Sequence, residues 1–111
     1  MVLTCLGMAR YSFAYKNEFT GTLPSSLGNL TALESFFMSS NKITGSIPPS
    51  LGNLTWAHQF SLHNNKLTGP VPSELGRLIN LNAFYLSENQ LTGVVPAQLM
   101  AQVRSFLVTP V

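Results

Sequence analysis

The chain has 111 residues, 45% of them hydrophobic and only 9% charged, which suffices for one domain and is too apolar for a disordered segment. Its formal net charge is +2, and the six basic residues (Arg10, Lys16, Lys42, Lys66, Arg77, Arg104) are scattered, so nothing supports nucleic-acid binding. One cysteine, Cys5, precludes an internal disulfide, and no run approaches the ~20 apolar residues that membrane insertion needs.

Residues 1–8 read as a lead-in. The opening MVLTCLGMAR is briefly apolar but has no basic region before it, so it does not have the form of a secretory leader. From residue 9 the chain repeats itself. Asn17, Asn41, Asn65 and Asn89 recur at steps of 24, as do Thr20, Thr44, Thr68 and Thr92. Gly21, Gly45, Gly69 and Gly93, then Pro24, Pro48, Pro72 and Pro96, then Leu27, Leu51, Leu75 and Leu99 hold the same phase. Five residue types in register define four units over residues 9–102, by phase 9–32, 33–56, 57–80 and 81–104.

The same elements are expected in each unit. A short strand comes first, in which Phe36 and Met38, Phe60 and Leu62, or Phe84 and Leu86 alternate with outward neighbours. The unit-wide asparagine follows, where the chain leaves the strand. Its amide can satisfy backbone groups of its own and adjacent coils, which makes Asn17, Asn41, Asn65 and Asn89 a structural ladder; a buried amide without partners would cost on the order of 1–3 kcal/mol. Thr-Gly makes the next bend, and Pro holds an extended, non-helical path. Ser25-Ser26-Leu27-Gly28 and its counterparts read as a short helical or 3₁₀ turn that returns Leu27 and Leu30 to the core.

Two units depart from this pattern. The first carries Ala9, Ser12 and Ala14 where apolar strand residues are expected, so Tyr11, Phe13 and Tyr15 either face outward or replace the missing leucines in a strand of reversed alternation. In the fourth, Met100 stands where the other units have Gly and Gln102 where they have Leu, and the repeat decays. Residues 103–111 begin a truncated fifth unit, with a strand from Phe106 to Val108 that stops before Pro110.

The string N-x-L-T-G-x-I-P-x-x-L-G-x-L, present from residue 9 to about 102, resembles the plant-specific class of leucine-rich repeats found in the ectodomains of receptor-like kinases and receptor-like proteins, and in polygalacturonase-inhibiting proteins. The resemblance implies an α/β repeat solenoid: a right-handed superhelix with a parallel β-sheet on its concave face and short 3₁₀ or loop segments on its convex face. It implies a protein or peptide ligand, with a co-receptor as a further partner, on the extracellular side of the plasma membrane or in the apoplast. A soluble inhibitor of a microbial wall-degrading enzyme, and a non-functional fragment of a receptor serine/threonine kinase, are the alternatives. Family ectodomains carry cysteine-paired caps, a leader and, in receptors, a membrane anchor and kinase. Their absence from this sequence makes it read as an internal slice of a larger receptor, with apolar end coils and limited stability alone.

Because the repeated residues encode the scaffold, specificity is expected in the outward strand positions, which the fold leaves to vary. These are Tyr11, Phe13 and Tyr15; Ser35, Phe37 and Ser39; Gln59, Ser61 and His63; Ala83, Tyr85 and Ser87; with Lys16, Ser40, Asn64 and Glu88 at the strand ends. Phe13, Phe37 and Tyr85 share one repeat position, with Ser61 between, and stacking turns them into an aromatic stripe of the kind that anchors interfaces. The expected ligand-contacting set is Phe13, Tyr15, Phe37, Gln59, His63, Tyr85 and Glu88.

Two sequons, Asn29-Leu30-Thr31 and Asn53-Leu54-Thr55, fall at one repeat position and read as N-glycan acceptors on one flank. No catalytic, metal or cofactor site is expected. His58 and His63 point to opposite strand faces, the chain has no Asp, and Glu18, Glu34, Glu74 and Glu88 lie in different units, so neither a triad nor a metal cluster can assemble. Every glycine of the repeat has a scaffold role, which leaves none for a phosphate loop.

Overall fold

Two parallel sheets run side by side through the molecule, as a computed structural model describes it for residues 11–13, 19–102 and 105–107. The first has five strands in the order β1 (Tyr11–Phe13), β3 (Ser35–Phe37), β5 (Gln59–Ser61), β7 (Ala83–Tyr85) and β9 (Ser105–Leu107). The second has four, β2 (Thr20–Thr22), β4 (Lys42–Gly45), β6 (Lys66–Pro70) and β8 (Gln90–Thr92). Odd and even strands alternate along the chain, so each coil gives one strand to each sheet. The last strand is Ser105–Leu107, one residue earlier than its expected start at Phe106.

The third side of each coil is a 3₁₀ turn at Ser25–Asn29, Pro49–Asn53 and Ser73–Arg77, each entered from an extended proline (Pro24, Pro48, Pro72). In the fourth coil this side is instead a six-residue α-helix, α1 (Ala97–Gln102). The glycine within each turn explains the difference. A Cβ on Gly28 would collide with the carbonyl oxygen of Ser50 in the next coil, and one on Gly52 would lie 2.5 Å from Glu74 O. Gly is therefore required wherever another 3₁₀ turn stacks closely on this side. Met100 occupies this position in α1 and is 57% exposed, while Leu99 beside it is fully buried.

The core fills the space between the three sides. Phe36, Phe60 and Phe84 are fully buried in one row, paired in register. Their rings meet edge to face (Phe36–Phe60 centroids 5.9 Å) and tilted (Phe60–Phe84, 5.7 Å), geometries that add to the burial of area alone. Leu27, Leu51, Leu75 and Leu99 come in from the third side, and Ile43, Leu67 and Leu91 from the second sheet.

That second sheet differs from the expected Thr-Gly bend. The residues around Thr-Gly alternate, with Ile43, Leu67 and Leu91 inward and Lys42, Thr44, Lys66, Thr68, Gln90 and Thr92 exposed, which is the period of a half-buried strand. Its pairing is also staggered. Thr44 lies opposite Lys66, whereas Phe37 in the first sheet lies opposite Ser61, a full repeat away. The two-residue slip leaves every side chain on its own face. Gly21, Gly45, Gly69 and Gly93 all take positive φ (75 to 86°), and a Cβ on Gly45 would meet Thr22 Cγ2 at 2.7 Å.

The asparagines lock neighbouring coils together. Asn65 Nδ2 donates to Leu62 O in its own coil and to Met38 O in the preceding one, both at 3.0 Å, while its Oδ1 accepts from Ile43 N at 3.1 Å. Asn89 repeats this with Leu86 O, Leu62 O and Leu67 N. Asn41 Nδ2 reaches Met38 O and Ser39 O, and its Oδ1 accepts from Phe19 N. Asn17 lies outside the described residues.

Candidate binding face

The backbone ladder of the first sheet sets the rows of its outer face. Tyr11, Ser35, Gln59, Ala83 and Ser105 pair across one row, and Phe13, Phe37, Ser61, Tyr85 and Leu107 across another. Between them Ser12, Phe36, Phe60, Phe84 and Phe106 pair in a third row, of which Phe36, Phe60 and Phe84 are core residues. Phe13 is thus in register with Phe37, while its side chain, like Tyr15 and Lys16, lies outside the described residues.

The expectation that all outer positions are open is corrected by burial. Ser35, Ser39, Ser61 and Ala83 are buried, and Ser61 retains only 4% of its surface. The register places the short Ser61 between the larger Phe37 and Tyr85, on strands about 4.8 Å apart. The two aromatics are themselves half-buried rather than fully open, Gln59 and Glu88 are exposed, and His63 is half-buried. The accessible face therefore consists of a few large groups over a floor of small, covered ones.

His63 is held in place. Its Nδ1 lies 3.0 Å from Ser61 Oγ, so either the hydroxyl donates to the ring or the ring to the hydroxyl, according to tautomer. One residue on, Asn64 is left-handed (φ 57°), as are its counterparts Ser40 (58°) and Glu88 (57°). Asn64 Nδ2 donates to Ser40 Oγ at 3.2 Å. These left-handed residues follow β3, β5 and β7 by three positions, and each immediately precedes the asparagine of its coil.

The backbone of His58 belongs to the ladder, its N–H donating to Glu34 O and its carbonyl accepting from Asn82 N, both at 2.7 Å. Among the described residues no three His, Cys, Asp or Glu side chains converge on a point that would hold a metal. No described helix is long and apolar enough to cross a membrane.

Away from the strands, Asn29 and Asn53 are exposed and close their 3₁₀ turns in the same position of successive coils. The third coil has Arg77 there. Sequence reasoning gave no role to Trp56, 63% exposed, or Ile79, 71% exposed. Both occupy the short link from the 3₁₀ turn to the next first-sheet strand, where Asn80 Nδ2 donates to Thr55 O at 2.8 Å. Their signal was a large apolar residue at two adjacent repeat positions, Ile79 in phase with Thr31 and Thr55, and Trp56 in phase with Ala32 and Asn80.

Comparison with known proteins places this geometry. A family model described as Leucine Rich Repeat matches residues 32–54 and 58–78, and no curated protein matches the chain. The crystal structure of PEPR1–AtPEP1 superposes with a TM-score of 0.86 at 35% identity, over 89% of this chain and 14% of that one. The ectodomain of the plant membrane receptor kinase GASSHO1/SCHENGEN3 from Arabidopsis thaliana, in complex with CASPARIAN STRIP INTEGRITY FACTOR 2, gives 0.83 at 38% identity over 87% of this chain and 12% of that one. The BIR3–SERK2 complex from Arabidopsis thaliana gives 0.78 at 28% identity, over 87% and 55%. The chain therefore spans only about 14% and 12% of the first two structures it resembles.

Proposed function

Since the chain is a solenoid of plant-type leucine-rich repeats, we propose that it is a recognition segment from the extracellular region of a plant receptor-like kinase or receptor-like protein, binding a peptide or protein on its first sheet. The observation that carries this reading is the row Phe37–Ser61–Tyr85. Its residues lie outside the repeat consensus and in register, and they set two accessible aromatics over a covered serine. Gln59, His63 and Glu88 supply polar groups around that row. Aromatics with polar neighbours are the usual anchors of a recognition surface. Two of the similar structures, named above, pair a receptor kinase ectodomain or PEPR1 with a second component, and the third is a complex named for two proteins. A peptide ligand, with a co-receptor as a further partner, fits that company. By repeat phase alone, Phe13 and Tyr15 belong to the same proposed ligand-contacting set. Asn29 and Asn53 are N-glycan acceptors on passage through the secretory pathway, on the side away from the sheet.

The test pans a random peptide library displayed on phage against the immobilised chain. Enriched peptides are then measured against Phe37→Ser and Tyr85→Ser, each of which installs the residue that the third coil already carries in this row. The reading expects at least a tenfold loss for either variant with an unchanged circular dichroism spectrum. Peptides that bind both variants as tightly as the wild type would overturn it.

A further inference from the structure

We propose that the N-glycan on Asn53 packs its first sugar on the indole of Trp56, so that the second coil carries a built glycan seat that the first coil lacks. This rests on passage of the chain through the secretory pathway, and is independent of any ligand at the first sheet.

The local backbone brings the two groups together. Asn53 is the last residue of its 3₁₀ turn, which Leu54 closes by donating its N–H to Leu51 O at 3.1 Å. The next turn follows at once, closed by Ala57 N donating to Leu54 O at 3.0 Å. Leu54 and Ala57 are buried, so these two anchors fix the turn and leave Thr55 and Trp56 at its exposed corners. Asn80 pins the Thr55 carbonyl from the third coil. Trp56 is three positions after Asn53, a span of at most about 11 Å even if fully extended, and a linked asparagine plus one pyranose ring reaches that far.

Chemistry favours the contact. Trp56 is 63% exposed, so a large apolar ring face is open to a covering group. The acceptor and hydroxyl of the sequon, Asn53 and Thr55, are both exposed, as the modifying enzyme requires. A pyranose presents a face of C–H groups that complements the electron-rich face of an indole. The repeat supplies an internal control. Asn29-Leu30-Thr31 has the same turn, with Leu30 N bonded to Leu27 O and Leu33 N to Leu30 O, but the residue corresponding to Trp56 is Ala32.

Trp56 is the sole tryptophan, so its fluorescence reports the seat directly. The full chain is expressed behind a secretion leader in a eukaryotic host, and occupancy of Asn29 and Asn53 is read by glycopeptide mass spectrometry. With Asn53 occupied, Trp56 emission is expected to be blue-shifted, and its acrylamide quenching constant about half that of the Asn53→Gln variant, because one of two ring faces is covered. Trimming to the single core sugar keeps this protection, and Asn29→Gln leaves it unchanged. An unoccupied Asn53, equal quenching in wild type and Asn53→Gln, or protection lost on trimming would each overturn the proposal. None of these outcomes bears on peptide binding at Phe37 and Tyr85, which the library experiment decides separately.

Discussion

Asn65 Oδ1 accepts the backbone N–H of Ile43, 3.1 Å away in the preceding coil. On its other side the same amide donates to Met38 O, so one side chain spans the corner at which the previous coil passes from the first sheet to the second. Along that corner Met38 N and Ser40 N already donate to Ser61 O and His63 O of the next coil. The asparagine adds bonds to Met38 O at the end of the first sheet and Ile43 N in the second, and so links the two sheets.

Replacing Asn65 by Leu should therefore be among the most damaging single changes. It strands the buried Ile43 N–H, at about 1–3 kcal/mol for a group left unsatisfied, and takes one of two donors from each of the Met38 and Leu62 carbonyls, which keep Asn41 and Asn89. We expect a loss of about 2–3 kcal/mol in urea denaturation. Its exposed neighbour provides the contrast: Asn64→Ala should cost no more than about 1–2 kcal/mol, through its left-handed backbone.

Gly52 and Gly76 occupy equivalent positions and should respond differently to alanine. A Cβ on Gly52 meets the main chain of Glu74, with O at 2.5 Å and C at 3.0 Å, whereas one on Gly76 meets the Gln98 side chain, with Oε1 at 3.1 Å. Backbone cannot yield without moving the stacked turn, but a glutamine can change rotamer. Gly52→Ala should lower stability by about 2–3 kcal/mol and Gly76→Ala by less than about 1 kcal/mol. Thermal melts of the two variants side by side check the difference.

Ser40 takes φ 58°, a conformation that glycine adopts without the steric cost paid by other residues. Ser40→Gly gives up one exposed hydrogen bond from Asn64, worth little in water. The net expectation is a gain of about 0.5 kcal/mol, read from the urea midpoint at constant slope. Ser40→Val should lose about 1–2 kcal/mol at the same site.

Much of this was legible in the sequence because the period is strict. The inward row Phe36, Phe60 and Phe84, the 3₁₀ turns and the partners of the asparagines follow from alternation and phase alone. The second sheet was not read, although Lys42-Ile43-Thr44 and Lys66-Leu67-Thr68 alternate; strands this short, next to a glycine, look like a bend. Its two-residue stagger depends on how coils lean on one another, which no single unit encodes. Phase and alternation put Ser35 and Ser61 on the outward side of their strands, which says nothing of burial, and both are buried beside neighbouring strands. For Ser61 that neighbourhood was available in principle, since Phe37 and Tyr85 sit one period away on either side.

The central claim is that the outer row of the first sheet binds a ligand while contributing little to the fold. The most direct measurement is the affinity of a library-selected peptide for wild type, Phe37→Ser and Tyr85→Ser, taken together with their urea midpoints. The account predicts losses of tenfold or more in affinity, about 1.4 kcal/mol or above, with stability changed by less than about 1 kcal/mol. Unaltered affinity in both variants would contradict it, and so would affinity lost only in step with the fold.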